Sequence, residues 1–170
     1  MVGSCLKSAG VTAGVVGMTR CLLLLLLLIG LGACARPKEM LVVRQFKVMD
    51  AKFPEAGDPM IRCEKERRLY GAISMAEYKA RFGSYYTCLW DDPRGAGSGE
   101  VELLFEYQQG ATASQVKHLL KRFNSSDTSG KAEFAIIGND YFKNGRILAW
   151  KVTLSRGTKV LTTRKSRLWQ

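Results

Sequence analysis

Apolar and polar positions alternate most cleanly between Glu100 and Tyr107, where Val101, Leu103, Phe105 and Tyr107 share one parity and Glu100, Glu102 and Glu106 the other. A period of two predicts a strand with one face buried. Met40 to Met49 alternates more loosely, with Val42, Phe46 and Val48 on one parity, and also predicts a strand. Met60 to Gly71 sets Ile61, Cys63 and Leu69 against Arg62, Glu64, Glu66 and Arg68, which again has the period of a half-buried strand. Ser84 to Trp90 is rich in aromatic and β-branched residues on both parities, as expected of a strand covered on both faces. Lys131 to Ile137 and Arg146 to Leu154 are further strands, the latter with Leu148, Trp150, Val152 and Leu154 as an inward stripe.

Ser114 to Phe123 is ambiguous, because Val116, Leu119, Leu120 and Phe123 fall at helical spacing. Short strands before and after it favour an extended segment, the rhythm of a sandwich. A last strand runs from Lys159 towards Trp169, and Arg164, Lys165 and Arg167 suit it to a sheet edge, where charge discourages pairing with another chain. Between the strands, Asp50 to Pro59 is a loop by composition, Asp91 to Gly99 a Gly-rich hairpin connection, and Asn144-Gly145 a turn signal. One short helix is expected from Ser74, whose spacing to Glu77 has the form of a capping box, to Phe82, with Gly83 closing it. The sum is an all-β domain over residues 40–170: an antiparallel immunoglobulin-like sandwich of about seven or eight strands. Its expected core is Phe46, Ile61, Leu69, Tyr86, Trp90, Val101, Leu103, Phe105, Phe134, Leu148, Trp150, Val152 and Leu154.

A different pattern precedes the domain. Arg20 is followed by an apolar run from Cys21 to Ala35, with small residues Gly32 and Ala33 directly before Cys34. That is the order of a helical secretory leader and its cleavage site. A bilayer-spanning helix needs about 20 apolar residues, whereas Arg36 and Lys38 close this run at about 15. Leu31-Gly32-Ala33-Cys34 resembles the lipobox of bacterial lipoproteins, whose leader is cut before a cysteine that is then acylated. The resemblance implies a signal peptide over 1–33, lipidation at Cys34 and a tether over 34–39. It also implies a location in the cell envelope outside the cytoplasm, at the outer membrane if the host is diderm. Met18-Thr19-Arg20 would open an ordinary leader, so translation is expected to start at Met18.

Composition changes the picture in two ways. The chain has 26 Lys and Arg and 15 Asp and Glu, and only Lys7 and Arg20 lie in the leader, so the mature part has a formal charge of +9. Such a balance speaks about partners and solubility rather than fold. In an envelope the available polyanions are phospholipid heads, lipopolysaccharide or wall polymers. The basic residues are spread over most strands rather than interleaved with aromatics on a known module, so nucleic acid is not expected. Of five cysteines, Cys5 and Cys21 leave with the leader and Cys34 is consumed by lipid. Cys63 and Cys88 remain, as a possible disulfide or as two free thiols.

Candidate chemistry is sparse. Glu64 and Glu66 share a charged stretch with Lys65, Arg67 and Arg68, which strand alternation accounts for without acid catalysis. Asp91-Asp92 before Gly95, Gly97 and Gly99 lacks the spaced ligands and closing glutamate of a calcium loop. His118, the single histidine, has no Ser or Cys nucleophile motif beside it, and Asn124-Ser125-Ser126 as a glycan acceptor carries no information behind a bacterial leader. Tyr141 stands where a tyrosine corner, or a turn tyrosine over the core edge, would sit. No catalytic, cofactor-binding or metal residues are assigned. The run Arg67 to Ser74, with Tyr85-Tyr86 to Trp90, Asn144-Gly145 to Trp150 and Leu168-Trp169, is similar to small uncharacterised bacterial envelope lipoproteins, a resemblance that implies no activity. Both domain cysteines lie early, so the inter-sheet bridge of true immunoglobulin domains does not carry over. The expectation is a non-enzymatic, lipid-anchored module that binds or scaffolds an unknown partner in the envelope, a protein or an anionic polymer. Its alternatives are a binder of anionic envelope polymers and an enzyme using His118 with Asp or Glu.

Overall fold

Seven strands and three short helices make up the domain in the computed structural model, which describes residues 39–52, 57–93, 95, 99–112 and 114–169. The leader and Cys34 lie outside these residues. In chain order the elements are β1 (Leu41–Val48), α1 (Pro59–Leu69), α2 (Met75–Arg81), β2 (Gly83–Asp91), β3 (Val101–Gln109), β4 (Val116–Phe123), β5 (Ser129–Ile137), α3 (Gly138–Asn144), β6 (Ile147–Arg156) and β7 (Lys159–Lys165). All pairings are antiparallel, in a three-stranded sheet β1-β2-β5 and a four-stranded sheet β4-β3-β6-β7. The constant-type immunoglobulin arrangement keeps the fourth strand in the sheet of the fifth. Here β4 has crossed to lie beside β3.

The two sheets close on one core. Leu41, Tyr86, Cys88, Trp90, Ala132, Phe134 and Ile136 come from the first sheet, and Val101, Leu103, Phe105, Tyr107, Ile147, Val152 and Leu154 from the second. Aromatic rings join them: Tyr86 lies 4.7 Å from Phe105, which stacks at 5.1 Å on Phe134. Pairs of this kind contribute about 0.5–1.5 kcal/mol each beyond their burial. The alternation read in β3 is realised residue by residue, and β4 is extended despite its helical spacing.

Four expectations are corrected. Met60 to Gly71 is not a strand but most of α1: Asp58 caps it, accepting from the Met60 amide at 2.8 Å, and Pro59 takes the first turn, where no donor is needed. Its interior has no β-branched residue after Ile61, and Glu64 finds Arg67 and Arg68 at helical spacing. Gly138 to Asn144 is likewise a helix, α3, which carries the chain from one sheet to the other. The Asp91 to Gly99 segment is no hairpin, because β2 and β3 belong to different sheets. Finally, Ile61 and Leu148 are exposed at 58% and 40%, while Ile147 and Ala149 are buried in place of Leu148. A register shift at Gln108/Gln109 sets Ile147 opposite the buried Gln109 and skips Leu148, so the inward stripe runs from Ile147 to Trp150 and Val152.

A second, smaller apolar cluster sits on the other face of the three-stranded sheet. Val48, Leu69, Phe82 and Tyr85 are buried there, with Phe46, Tyr78 and Ile137 packed against them. Here α2 starts as expected, the Ser74 hydroxyl accepting from the Glu77 amide and the Glu77 carboxylate from Ser74. Tyr141 on α3 is buried at the core edge and its hydroxyl donates to the Met49 sulfur at 3.2 Å.

Candidate functional site

Because α1 is polar nearly all round, with Leu69 its only buried residue, packing alone cannot hold it. Charge supplies the rest. The Arg68 guanidinium donates to Glu133 on β5 at 2.9 Å and to Glu64 at 2.9 Å, and lies 4.4 Å from the Tyr85 ring centre. Arg67 donates to both oxygens of Glu64, and Lys131 pairs with Glu133 at 2.9 Å. Partial burial would raise the Glu133 carboxyl, but Lys131 and Arg68 override it and hold it down at about 2. Glu64 is lowered as well, chiefly by Arg67.

Clipped down in this way, α1 leaves a cleft of about 440 Å³ between itself and the outer face of the sheet. Strand register builds the floor, with Arg44, Thr87 and Glu133 in one row across β1, β2 and β5 and Phe46, Tyr85 and Ala135 in the next. Met60, Cys63, Glu64 and Arg67 form the helical wall, and Arg44 and Lys131 flank the opening. Arg44 is exposed and has no charged partner among the described residues. Three of the cleft's lining residues are cations (Arg44, Arg67, Lys131) and one is a carboxylate (Glu64), so it has surplus positive charge around a partly apolar floor that includes Phe46 and Thr87. Such a site suits an anionic group carried on a less polar stem.

No family model, curated protein or solved structure matches this chain. The site therefore rests on its geometry alone.

The residues singled out in the sequence are dispersed. Cys63 is exposed in the cleft wall, whereas Cys88 is wholly buried between the sheets, and both are free thiols. The bridge does not form because Cys88 points into the sandwich and α1 lies on the opposite face of its strand. Burial pushes the Cys88 thiol up to about 12, which makes it inert. His118 is exposed on β4 opposite Glu106, whose carboxylate is taken by Lys151 at 2.5 Å. Among the described residues no cluster of His, Cys, Asp and Glu is placed to hold a metal, and no helix is long and apolar enough to cross a membrane.

The Gly-rich segment after Asp91 has a structural purpose that its composition did not reveal. Asp92 turns inward to Arg156, whose side chain is 3% exposed and donates to the Asp92 carboxylate at 2.8 Å. The same guanidinium donates to the carbonyls of Gly99, Ser125 and Asp127 at 3.2, 3.1 and 2.8 Å. One buried cation thus ties both loops that pass between the sheets at this end of the domain. A methyl group at Gly95 would lie 1.9 Å from the Asp92 carboxylate and 2.3 Å from Arg156, so only glycine fits. At the other end, fully buried Gln109 donates to the Asp140 and Gly145 carbonyls and accepts from Lys117, which also reaches Asp140 at 2.8 Å.

Proposed function

We propose that this chain is a lipid-anchored, non-enzymatic binding module of the bacterial cell envelope, held outside the cytoplasm by acyl chains on Cys34. The observation that carries the reading is the tetrapeptide Leu31-Gly32-Ala33-Cys34 at the end of the leucine run, with β1 beginning only seven residues later at Leu41. Acyl chains contribute about 0.8 kcal/mol per buried methylene, so two or three of them anchor stably where one does not. The intact mass of the purified mature protein is expected to exceed that of the chain from Cys34 by two or three fatty acyl groups. Cys34→Ala is expected to release it from the membrane fraction. An unmodified N-terminus in a soluble product would end this reading.

The cleft beside α1 favours a second reading, in which the bound partner is an anionic envelope polymer, lipopolysaccharide or wall polymer. Its support is Arg44, which has no charged partner among the described residues, beside Lys131 and Arg67 at an opening floored by Phe46 and Thr87. Retention of the protein on such a polymer is expected to fall at least tenfold in Arg44→Glu/Lys131→Glu and to weaken between 0.05 and 0.5 M salt, about the range in which screening shortens below 10 Å. Retention that survives both changes would leave an uncharged protein surface as the binding face.

A further inference from the structure

We propose that the free edge of β4 docks an extended acidic segment of a partner protein, which adds to the four-stranded sheet as a fifth strand. Among the described residues β4 pairs only with β3 and is the outermost strand of its sheet, so a row of its backbone donors and acceptors has no described strand beside it. It also exposes apolar surface: Val116 and Leu120 are 42% and 41% exposed on one face and Leu119 is 36% exposed on the other. His118 and Arg122 lie on the face of Val116 and Leu120 and Lys121 on that of Leu119, and Lys121 has no charged partner among the described residues. An edge that is unpaired, partly apolar and basic recognises a strand by main-chain hydrogen bonds and by alternate side chains.

The occupied side of β4 shows what such a strand looks like. β3 alternates apolar residues with glutamates and sets Glu102 against Arg122 at 2.7 Å and Glu106 opposite His118. A second acidic strand on the open side would set its glutamates on the face of Lys121, whose charge they meet, while its apolar parity covers Val116 and Leu120 on the opposite face. Another copy of β4 is a poor occupant. Two-fold antiparallel self-pairing centred on Leu119 would set each Lys117 against the other copy's Lys121, and like charges directly opposite are destabilising. The edges of β1 and β7 are less open to a visitor, because Arg164 joins them by donating to the Leu41 carbonyl and pairing with Glu39 at 2.8 Å. The inference depends neither on the lipid anchor nor on the cleft beside α1.

The test uses the full-length protein in detergent and two labelled decapeptides, one alternating Glu with Val and one alternating Lys with Val. The acidic peptide is expected to bind saturably and at least tenfold more tightly than the basic one. Lys121→Glu should weaken it at least tenfold, whereas Arg167→Glu, the same charge change on an exposed residue outside β4, should change it less than twofold. In the unaltered protein the acidic peptide should slow amide exchange within 116–123 at least tenfold. Absence of binding, equal binding of the two peptides, equal effects of the two substitutions, or binding without protection of β4 would each overturn the proposal, the last marking a simple polyanion patch. A self-associated protein whose β4 amides are protected before peptide is added would overturn it in favour of a second copy.

Discussion

Replacing Arg156 by methionine keeps most of the side chain's volume and removes its charge and all four of its hydrogen bonds. What remains is a buried Asp92 carboxylate without its cation, and the Gly99, Ser125 and Asp127 carbonyls without their donor. With the two side chains 3% and 8% exposed, solvent cannot take over the missing role. Breaking a buried pair by removing one partner costs about 3–5 kcal/mol, set against a total stability of about 5–15 kcal/mol for a domain. With a urea slope of about 1.5 kcal/mol/M, a loss of about 4 kcal/mol moves the unfolding midpoint down by about 2–3 M. Asp92→Asn should cost less, since an amide still accepts a hydrogen bond, and the double variant should be more stable than the sum of the single losses requires, by about 2 kcal/mol. Urea unfolding followed by tryptophan fluorescence measures all three. A loss below about 1 kcal/mol in Arg156→Met, or simple additivity in the double variant, would show that the pair does not hold the two loops.

Three further outcomes are expected. Gly95→Ala should destabilise the domain by about 2–4 kcal/mol, because its methyl group displaces the Asp92–Arg156 pair, and in an Arg156→Met background much of that effect should vanish. Glu133, held down at about 2 from an ordinary 4.5, contributes stability that is full above pH 4.5 and is lost as pH falls towards 2. Discounted for an accessible third of the side chain, Glu133→Gln should cost about 1–2 kcal/mol at pH 7 and flatten that acid limb in equilibrium unfolding. Of the two domain cysteines, peptide mapping after iodoacetamide should find Cys63 modified in the folded protein and Cys88 only after unfolding; a Cys63–Cys88 crosslinked peptide would contradict the placement of α1.

The parts of the fold that local pattern specifies were legible in the sequence, and those that depend on distant partners were not. In β3, alternate burial follows the stripe of Val101, Leu103, Phe105 and Tyr107, and the capping box of α2 is a short-range device read directly from Ser74 and Glu77. The segment that became α1 misled because Ile61, Cys63 and Leu69 share a parity, although two of the three are exposed. The better signals were Asp58-Pro59 at its start and the three- and four-residue spacing of Glu64 from Arg67 and Arg68. Inward parity in β3 and β6 also runs on into Gln109 and Arg156, and carrying the stripes that far would have marked both as buried polar residues. Nothing local marks the cleft. Arg44, Thr87, Arg67 and Lys131 come from four separate elements, and only strand register and the seating of α1 bring them together.

The ion pair between Glu39 and Arg164, with the Arg164 bond to the Leu41 carbonyl, fastens the start of the first strand to the end of the last. A domain fastened at this seam is suited to circular permutation, since a short linker could join its two ends and new termini could open in a surface loop. The same seam lets such a module be spliced into the loop of a host protein, because the strand that enters the domain and the strand that leaves it are held together there.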